Sequence, residues 1–452
     1  VSISANNRYQ GQRVAVLGLG RSGEAAARLL AKLGATVTVL DSADAGRLDA
    51  GKLEALRDAG VQGSFGAAAV LDARDYDWAV LSPGIDPATP LVRNFLARGI
   101  PLISEIELAY LNSAIPVIGI TGTNGKTTTT ELVAAMLNGA GVRTIAAGNI
   151  GKPYSEVVRE APELDVLTLE VSSFQLERIE TFRPAVSVWL NLTPDHLDRY
   201  RDEDEYRRAK VRIFERQTSA DWAVVNARDP LPALEARRLT FSAYQEGADL
   251  HLQDEIIHYG QEPILDPRET GLRGRHNAEN LMAALGVGLA RGLAPEQMAP
   301  ALRAYRPQPH RYELVRELGG VLYINDSKAT NLDALEKALT SEARTIILIA
   351  GGKDKGFAFD ALTSVVAEKA RWVVLIGEMS ARIAASWGGH VPCEQAASLG
   401  QAVTMAWSLA QPGEVVLFSP GTSSFDMFTS YADRGNQFRA LVHALPETSP
   451  IP

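Results

Sequence analysis

The run Gly119-Ile120-Thr121-Gly122-Thr123-Asn124-Gly125-Lys126-Thr127-Thr128 leaves an apolar strand, Pro116 to Ile120, and enters a helical pattern, Thr128 to Leu137. A phosphate cradle needs that context, because glycines let backbone N–H groups approach an anion and the helix N-terminus adds its dipole. Lys126 would reach the outer phosphates, and the Thr127 hydroxyl would sit on a magnesium ion. The strict pattern wants a glycine where this chain has Ile120, with Gly119 one place early. A plain glycine-rich turn is the bland alternative. Gly-Lys-Thr at a helix entrance outweighs it, and ATP or GTP is the expected ligand.

Further polar groups stand at later strand ends. Glu170 opens Glu170 to Glu177 directly after the strand Val166 to Leu169. A carboxylate there, downstream of a phosphate loop, can hold magnesium; otherwise it is a surface acid starting a helix. Asn191 to Tyr200 gathers Asn191, Asp195, His196 and Asp198 in one turn. A neutral imidazole could bind metal or accept a proton, and the residues leave His196 open between that and a structural role. Lys210 shares a helical face with Tyr206, Ile213 and Phe214. A lysine on an apolar stripe usually snorkels. Carboxylated by CO₂ it would become an oxygen ligand, a reaction that burial favours by lowering the lysine pKa. Asn277 and Asn280 are three apart at the head of an alanine-rich helix, so both amides can face a base or ribose; Asn277 could equally be an N-cap. His310-Arg311 offers a guanidinium to a phosphate. Asn325 to Asn331, Gly351 to Lys355 and Ser419 to Asp426 are three polar loops at strand ends, suited to a small anionic substrate.

The elements that must position these groups fall into three α/β segments. The first opens with Arg13 to Leu17, the turn Gly18-Leu19-Gly20-Arg21-Ser22-Gly23, a helix, and a strand Thr36 to Leu40 ending at Asp41. That is the dinucleotide fingerprint, or else a tight turn that binds nothing. Strands at Trp78 to Leu81 and Pro101 to Ser104 complete a parallel unit, and the pattern pauses at Leu111 to Ala114. In the second segment, strands Val186 to Leu190 and Trp222 to Val225 join those above, and Phe241 to Glu269 reads as antiparallel. Arg306-Pro307-Gln308-Pro309 is a second joint. Strands Val321 to Asn325, Thr345 to Ala350, Trp372 to Ile376 and Val415 to Ser419 form the third segment.

Composition bounds the class. The 452 residues carry a formal net charge of −9, with 46% hydrophobic and 22% charged residues. That describes an ordinary globular chain with no general attraction to nucleic acid or anionic membrane. Cys393 is the single cysteine, so neither an internal disulfide nor a cysteine metal site is expected. No apolar run approaches the roughly 20 residues that span a bilayer, and no signal-peptide pattern opens the chain. A cytoplasmic enzyme is the expectation.

Taken together the motifs resemble the Mur ligases, which attach amino acids to the peptidoglycan precursor. The resemblance runs through Gly122 to Thr127, Gly148-Asn149-Ile150-Gly151, Glu170 to Glu177, Asn191 to Tyr200, His276-Asn277, His310-Arg311 and Asn325 to Asn331. Ser82 to Ile85, Asp326 to Asn331 and Ser419 to Phe428 look most like the members that add D-glutamate. The Asp-Asn-Pro-Arg signature of members adding a diamino acid is absent from the sequence. The resemblance implies an α/β chain of three domains: a Rossmann-like UDP-substrate domain over 1–112, a central P-loop ATPase domain with a mainly parallel sheet over 113–307, and a Rossmann-like amino-acid domain over 308–452.

It also implies roles. The UDP-linked substrate falls to Gly18, Leu19, Gly20, Arg21, Ser22, Asp41, Ser42, Ser82, Gly84, Asn149 and His196. ATP falls to Gly122, Thr123, Asn124, Gly125, Lys126, Thr127, Thr128, Asn277, Asn280, Arg311, Asp326 and Lys328. One magnesium falls to Thr127 and Glu170, and a second to His196 and an N6-carboxylated Lys210. D-glutamate falls to Thr330, Lys355, Ser424, Phe425 and Phe428, with Lys353 competing with Lys355 for one role. Catalysis rests on Lys126, Glu170, His196 and Lys210. The implied reaction is ATP-dependent addition of D-glutamate to a UDP-linked muramoyl-alanine through an acyl phosphate, releasing ADP and phosphate. The last domain would close on ATP about a hinge near Pro307 to Pro309. A monomer is expected, with no nucleic-acid partner and no membrane insertion. Folylpolyglutamate synthetase shares the ATPase core but would not need Val14 to Asp41. A nucleotide switch would leave Glu170, His196 and Lys210 idle, and an NAD dehydrogenase would bind NAD.

Overall fold

The computed structural model describes residues 8–48, 50–196, 199–306, 309–354 and 357–447. Three sheets carry the chain, each built on strands whose near-continuous runs of branched apolar residues suit burial on both faces. The first contains β1 (Arg13–Leu17), β2 (Thr36–Asp41), β3 (Gln62–Phe65), β4 (Trp78–Leu81) and β5 (Leu102–Ser104), all parallel in the order β3-β2-β1-β4-β5. Val14, Val16, Leu30 and Val80 pack on one face, and Ala15, Leu17, Leu91 and Phe95 on the other.

The second sheet contains β6 (Val117–Thr121), β7 (Ala146–Gly148), β8 (Leu167–Glu170), β9 (Val186–Trp189), β10 (Trp222–Asn226), β11 (Arg237–Ser242), β12 (Leu250–Gln253), β13 (Ile256–Tyr259) and β14 (Glu262–Leu265). Its order is β14-β13-β12-β11-β10-β9-β6-β8-β7. The expected antiparallel stretch is confined to β12, β13 and β14, whereas β11 pairs parallel to β12. Strand β6 lies between β8 and β9, so the chain turns back across the sheet there. Ligands of open α/β sheets gather outside the carboxyl ends of strands at such a reversal.

The third sheet contains β15 (Glu313–Leu318), β16 (Val321–Asn325), β17 (Ile346–Ala350), β18 (Ala370–Leu375), β19 (Cys393–Gln395) and β20 (Val415–Phe418), in the order β15-β16-β20-β17-β18-β19. Only β15 is antiparallel, forming a hairpin with β16. Apolar clusters cover both faces, one around Leu335, Leu348 and Trp387, the other around Ile349, Phe418 and Phe438.

These sheets fall into two compact units. The first holds the first two sheets, in the described residues of Val1–Leu192, Asp204–Leu265 and Glu279–Leu302. The second holds the third sheet, with Thr193–Glu203, Asp266–Ala278 and Arg303–Pro452. The pause expected at Leu111 to Ala114 is therefore no loose joint. The helix Glu105–Leu111 locks the first sheet to the second through two buried acids. Glu107 accepts from the backbone N–H groups of Glu180, Thr181 and Phe182 at 3.0, 2.8 and 3.0 Å. Glu105 accepts from the Ser155 N–H at 2.6 Å. Pro307 and Gln308, at the proposed hinge and boundary, lie outside the described residues, as do Leu197 and Asp198.

Candidate active site

In the first unit, the loop after β6 runs through Gly122 and Gly125 into the helix Lys126–Gly139. Gly125 has φ +84°, and a Cβ there would stand 2.3 Å from the Asn280 amide oxygen, so only glycine fits. Asn191, just after β9, clamps this loop. Its amide accepts from the Asn124 N–H at 2.9 Å and donates to the Asn124 carbonyl at 3.0 Å. Its carbonyl accepts from the Thr123 N–H at 2.9 Å. Sequence reasoning noticed Asn191 in its turn but gave it no role.

Two ammonium groups converge on the loop. Lys126 donates to the carbonyls of Gly122 and Thr123 at 3.0 and 2.7 Å. Lys210 donates to the same Gly122 carbonyl at 2.7 Å. The lysine is no snorkelling surface residue: it is 1% exposed, and its Nζ lies 4.7 Å from the centre of the Tyr206 ring. Tyr206, which the sequence marked only as apolar, has its hydroxyl 3.3 Å from Thr123 Oγ1.

Glu170 ends β8 beside β6 and β7, and it is 2% exposed. One oxygen accepts from the Thr127 hydroxyl at 2.6 Å, and the other from the Asn149 amide at 2.8 Å. Thr127, Glu170 and Asn149 are thus brought together at the helix entrance. Thr128 is buried one residue further on. Asn280 accepts from the Thr129 hydroxyl at 3.2 Å, beneath the loop.

The hard oxygens of Thr127 and Glu170 suit magnesium. That ion takes one or two carboxylates and completes its shell with water and nucleotide phosphate. Among the described residues no cluster of three or more His, Cys, Asp or Glu side chains offers an all-protein cage.

The turn Gly18 to Gly23 also lies in this unit. A Cβ at Gly23 would fall 1.9 Å from the Gly18 carbonyl oxygen, so the helix Arg21–Lys32 can begin there only on glycine. Asp41 braces the turn by accepting from the Leu19 N–H at 2.7 Å and the Ala43 N–H at 2.9 Å. Ser82 donates to the Gly18 carbonyl at 2.9 Å. Arg21 reaches to the Gly151 carbonyl at 2.5 Å, joining the turn to the Gly148–Gly151 loop. Gly20 caps the helix and Ser22 lies in its first turn, while Ser42 and Gly84 are exposed.

The second unit holds the remaining candidates. His196 has φ +56°, and its Nε2 lies 3.8 Å from an Asp195 oxygen. Asp195 also accepts from the Asn331 amide at 3.2 Å. The loops after β16, β17 and β20 meet as expected. Gly351 donates its N–H to the Pro420 carbonyl, Lys353 to that of Ser423, and Gly421 to that of Ala329. Arg434 is fully buried beneath them, and sequence reasoning missed it. Its guanidinium donates to the Ser327 carbonyl and hydroxyl at 2.8 and 3.0 Å and to the Thr422 and Ser423 carbonyls.

Asp326 accepts from Ser419 Oγ at 2.9 Å and the Tyr312 N–H at 3.1 Å. Burial nevertheless pushes its pKa up to about 7, against the hydrogen bonds and the nearby Arg311 and Arg434 charges. Lys328 places its ammonium 3.7 Å from the centre of the Tyr431 ring, another residue that sequence reasoning passed over. Thr330 is half-buried, Ser424 buried, and Phe425 67% exposed. Phe428 packs against the core, beside Phe418 and Phe438.

Asn277 is not an N-cap. The helix already begins at Arg275, and the Asn277 amide donates back to the Arg273 carbonyl at 2.7 Å. His276 beside it is held neutral, its pKa lowered to about 4 by burial and by Lys337. Lys355 lies outside the described residues.

Three family models match in chain order: the Mur ligase MurD-like N-terminal domain over residues 12–104, the Mur ligase middle domain over 120–288, and the Mur ligase glutamate ligase domain over 310–422. A UDP-N-acetylmuramoylalanine--D-glutamate ligase from Geobacter metallireducens is 44% identical over 444 residues, covering 96% of this chain and 98% of the relative. Among solved structures, UDP-N-acetylmuramate-alanine ligase from Thermotoga maritima aligns with a TM-score of 0.61 at 17% identity, covering 96% of this chain and 99% of that one. MurF from Acinetobacter baumannii also gives 0.61 at 17% identity, covering 95% and 93%. At that identity the two structures speak for the three-domain α/β fold alone. Matched almost end to end by such a relative and by three consecutive domain models, the chain belongs to the Mur ligase family.

Proposed function

We propose that this chain is an ATP-dependent amide ligase that adds D-glutamate to UDP-N-acetylmuramoyl-L-alanine in peptidoglycan precursor synthesis. The relative from Geobacter metallireducens carries that activity in its name. The observation that carries the reading is the placing of Lys126 and Lys210 at the Gly122 carbonyl of the loop, beside the buried Glu170 and the Thr127 hydroxyl it accepts from. Lys126 brings positive charge where phosphates would lie, and Glu170 keeps an acid ready for their counter-ion.

A carboxylate is a poor acyl donor. Its oxygen attacks the γ-phosphorus of ATP, the bond from that phosphorus to the β,γ-bridging oxygen breaks, and ADP leaves. The acyl phosphate is then attacked by the amine of D-glutamate. The tetrahedral intermediate expels phosphate, the amine gives up its proton, and the amide remains. Lys126 exchanges its two loop carbonyls for phosphate oxygens and offsets the repulsion between the two anions as they close. Thr127 and Glu170 would hold magnesium, which supplies charge neutralisation at the transferring phosphoryl group. Asn191 holds the loop backbone at Thr123 and Asn124 in one conformation, so the cradle is shaped before the nucleotide arrives.

In this reading Asp41, Ser82 and the Gly18 to Gly23 turn serve the UDP end of the substrate, with Arg21, Ser22, Ser42, Gly84 and Asn149. Asn277, Asn280, Arg311, Asp326 and Lys328 serve ATP, and Thr330, Lys355, Ser424, Phe425 and Phe428 serve D-glutamate. The domain limits are 1–112, 113–307 and 308–452, and the working chain is a cytoplasmic monomer.

Lys210 is N6-carboxylated in the active enzyme, which turns a buried cation into an anionic oxygen donor for a second magnesium with His196. Enzyme equilibrated with ¹³C-bicarbonate is expected to show a carbamate carbon resonance that Lys210→Arg lacks. Identical spectra for the two proteins would remove the modification.

The overall reading is tested by phosphate release from ATP with UDP-N-acetylmuramoyl-L-alanine, comparing D-glutamate, L-glutamate and no amino acid. Release that requires both the nucleotide sugar and D-glutamate supports it. Release indifferent to both would sink it in favour of a nucleotide switch.

A further inference from the structure

The loop between β7 and the helix Tyr154–Glu160 belongs to the second sheet, yet a helix of the first sheet holds it. The helix Arg21–Lys32 packs against the helix Tyr154–Glu160 and is bonded to that segment from both of its ends. At one end the Arg21 guanidinium donates to the Gly151 carbonyl at 2.5 Å. At the other the Lys32 ammonium donates to the Arg159 carbonyl at 2.7 Å. The two bonds can therefore be cut separately.

The loop reaches the magnesium carboxylate. Gly148 donates its N–H to the Lys152 carbonyl at 2.8 Å, which closes the base of the loop. The start of the following helix is fixed by Glu105, which accepts from the Ser155 N–H. Between these points lies the tip, Asn149 to Gly151, and among the described residues it has two anchors. On one side Asn149 donates its backbone N–H to the Glu170 carbonyl at 3.0 Å and its side-chain amide to the Glu170 carboxylate at 2.8 Å. On the other side Gly151 accepts from Arg21. Arg21 is exposed, and among the described residues the Gly151 carbonyl is the one acceptor of its guanidinium.

Groups that hydrogen-bond a metal ligand orient it and tune its affinity for the ion. We propose that Arg21 is a positioning residue for Glu170. By holding the Gly151 carbonyl it fixes the loop tip, and the fixed tip keeps the Asn149 amide on the carboxylate. A planar guanidinium suits the task, because it loses little freedom for each directed hydrogen bond it makes. The inference rests on the reading of Thr127 and Glu170 as the magnesium pair, and it gives Arg21 a duty besides the nucleotide sugar. A residue in the first turn of the helix at the UDP turn thereby acts, through Gly151 and Asn149, on the carboxylate that serves ATP.

The test titrates Mn²⁺, a paramagnetic stand-in for magnesium, into the full chain with saturating β,γ-methylene-ATP, and reads the free ion by electron paramagnetic resonance. Asn149→Ala should weaken Mn²⁺ binding by about tenfold. Arg21→Ala should weaken it by about fivefold, the weight of one hydrogen bond. The double variant should bind no more weakly than Asn149→Ala alone, because Arg21 acts through Asn149. Lys32→Ala cuts the same helix pair at its far end and should bind like the parent. Parent affinity in Arg21→Ala, losses that add in the double variant, or an equal loss in Lys32→Ala would overturn the proposal, the last by assigning the effect to helix packing. Glu170→Gln separates the two levels of the reading. If it binds Mn²⁺ like the parent, the magnesium pair fails and the role of Arg21 with it. If it loses the ion while Arg21→Ala does not, the role of Arg21 fails alone.

Discussion

Both oxygens of Glu170 are engaged, by the Thr127 hydroxyl at 2.6 Å and the Asn149 amide at 2.8 Å, so the carboxylate is fixed before any nucleotide arrives. A fixed acid beside a phosphate cradle costs little reorganisation when a cation binds. Glu170→Gln keeps the shape and removes the charge. It should lower the rate of phosphate release by about a hundredfold or more, with the loss measured across a magnesium titration. A wild-type rate in that variant would remove Glu170 from the metal site. Lys126, Thr127 and Glu170 were legible because their roles follow from residue type at the end of an apolar strand. Arg434 was not legible. Its partners are the carbonyls of Ser327, Thr422 and Ser423, which the fold brings to it and no local pattern announces. Lys210 lay between: helical spacing found its apolar stripe, but only packing shows that the stripe faces the phosphate loop.

Strand ends make the site, and strands were the easiest elements to read. The runs Arg13 to Leu17, Trp78 to Leu81 and Val321 to Asn325 coincide with β1, β4 and β16, because parallel strands covered on both faces need uninterrupted apolar residues. Strands β7 (Ala-Ala-Gly) and β3 (Gln-Gly-Ser-Phe) carry no such signal and are strands by virtue of their neighbours. The edge strand β15, Glu-Leu-Val-Arg-Glu-Leu, is half polar, and its antiparallel pairing was not foreseen. The turn from β6 into its helix depends on Gly125. Gly125→Ala forces a side chain into left-handed backbone, a strain of about 1–2 kcal/mol, and into the Asn280 amide. ATP affinity, measured by calorimetry, should fall by about tenfold or more while the circular dichroism of the chain stays unchanged. Unaltered affinity would mean that the loop does not cradle the nucleotide.

The first two sheets act as one body because Glu105 and Glu107 are buried where they meet, and they differ in how well they are satisfied. Glu107 is ringed by donors, whereas one oxygen of Glu105 has none. Burial raises the Glu105 pKa from 4.5 to about 7, against the Ser155 hydrogen bonds, and the phenol of Tyr154 close by is held neutral. A carboxyl whose pKa is higher in the folded state stabilises the fold fully below its unfolded value. That contribution is lost as pH rises from about 4.5 to 7 and is flat beyond. Glu105→Gln removes the ionisation. The melting temperature of the variant relative to the parent should therefore rise between pH 5 and 8, on the order of 3 kcal/mol in stability. A difference constant with pH would show that Glu105 ionises as it does in water. Composition gave no hint of this junction, since two glutamates in a short helix read as surface residues. Among the described residues no helix is long and apolar enough to cross a membrane, in keeping with the composition.

The most direct test of the whole account follows oxygen. UDP-N-acetylmuramoyl-L-alanine labelled with ¹⁸O in its carboxylate is turned over with ATP and D-glutamate, and the released phosphate is analysed by mass spectrometry. Ligation through an acyl phosphate predicts one ¹⁸O atom in each phosphate, carried from the carboxylate to phosphorus. Phosphate free of label would mean that the carboxylate never attacked ATP, and that this chain hydrolyses nucleotide without activating an acid.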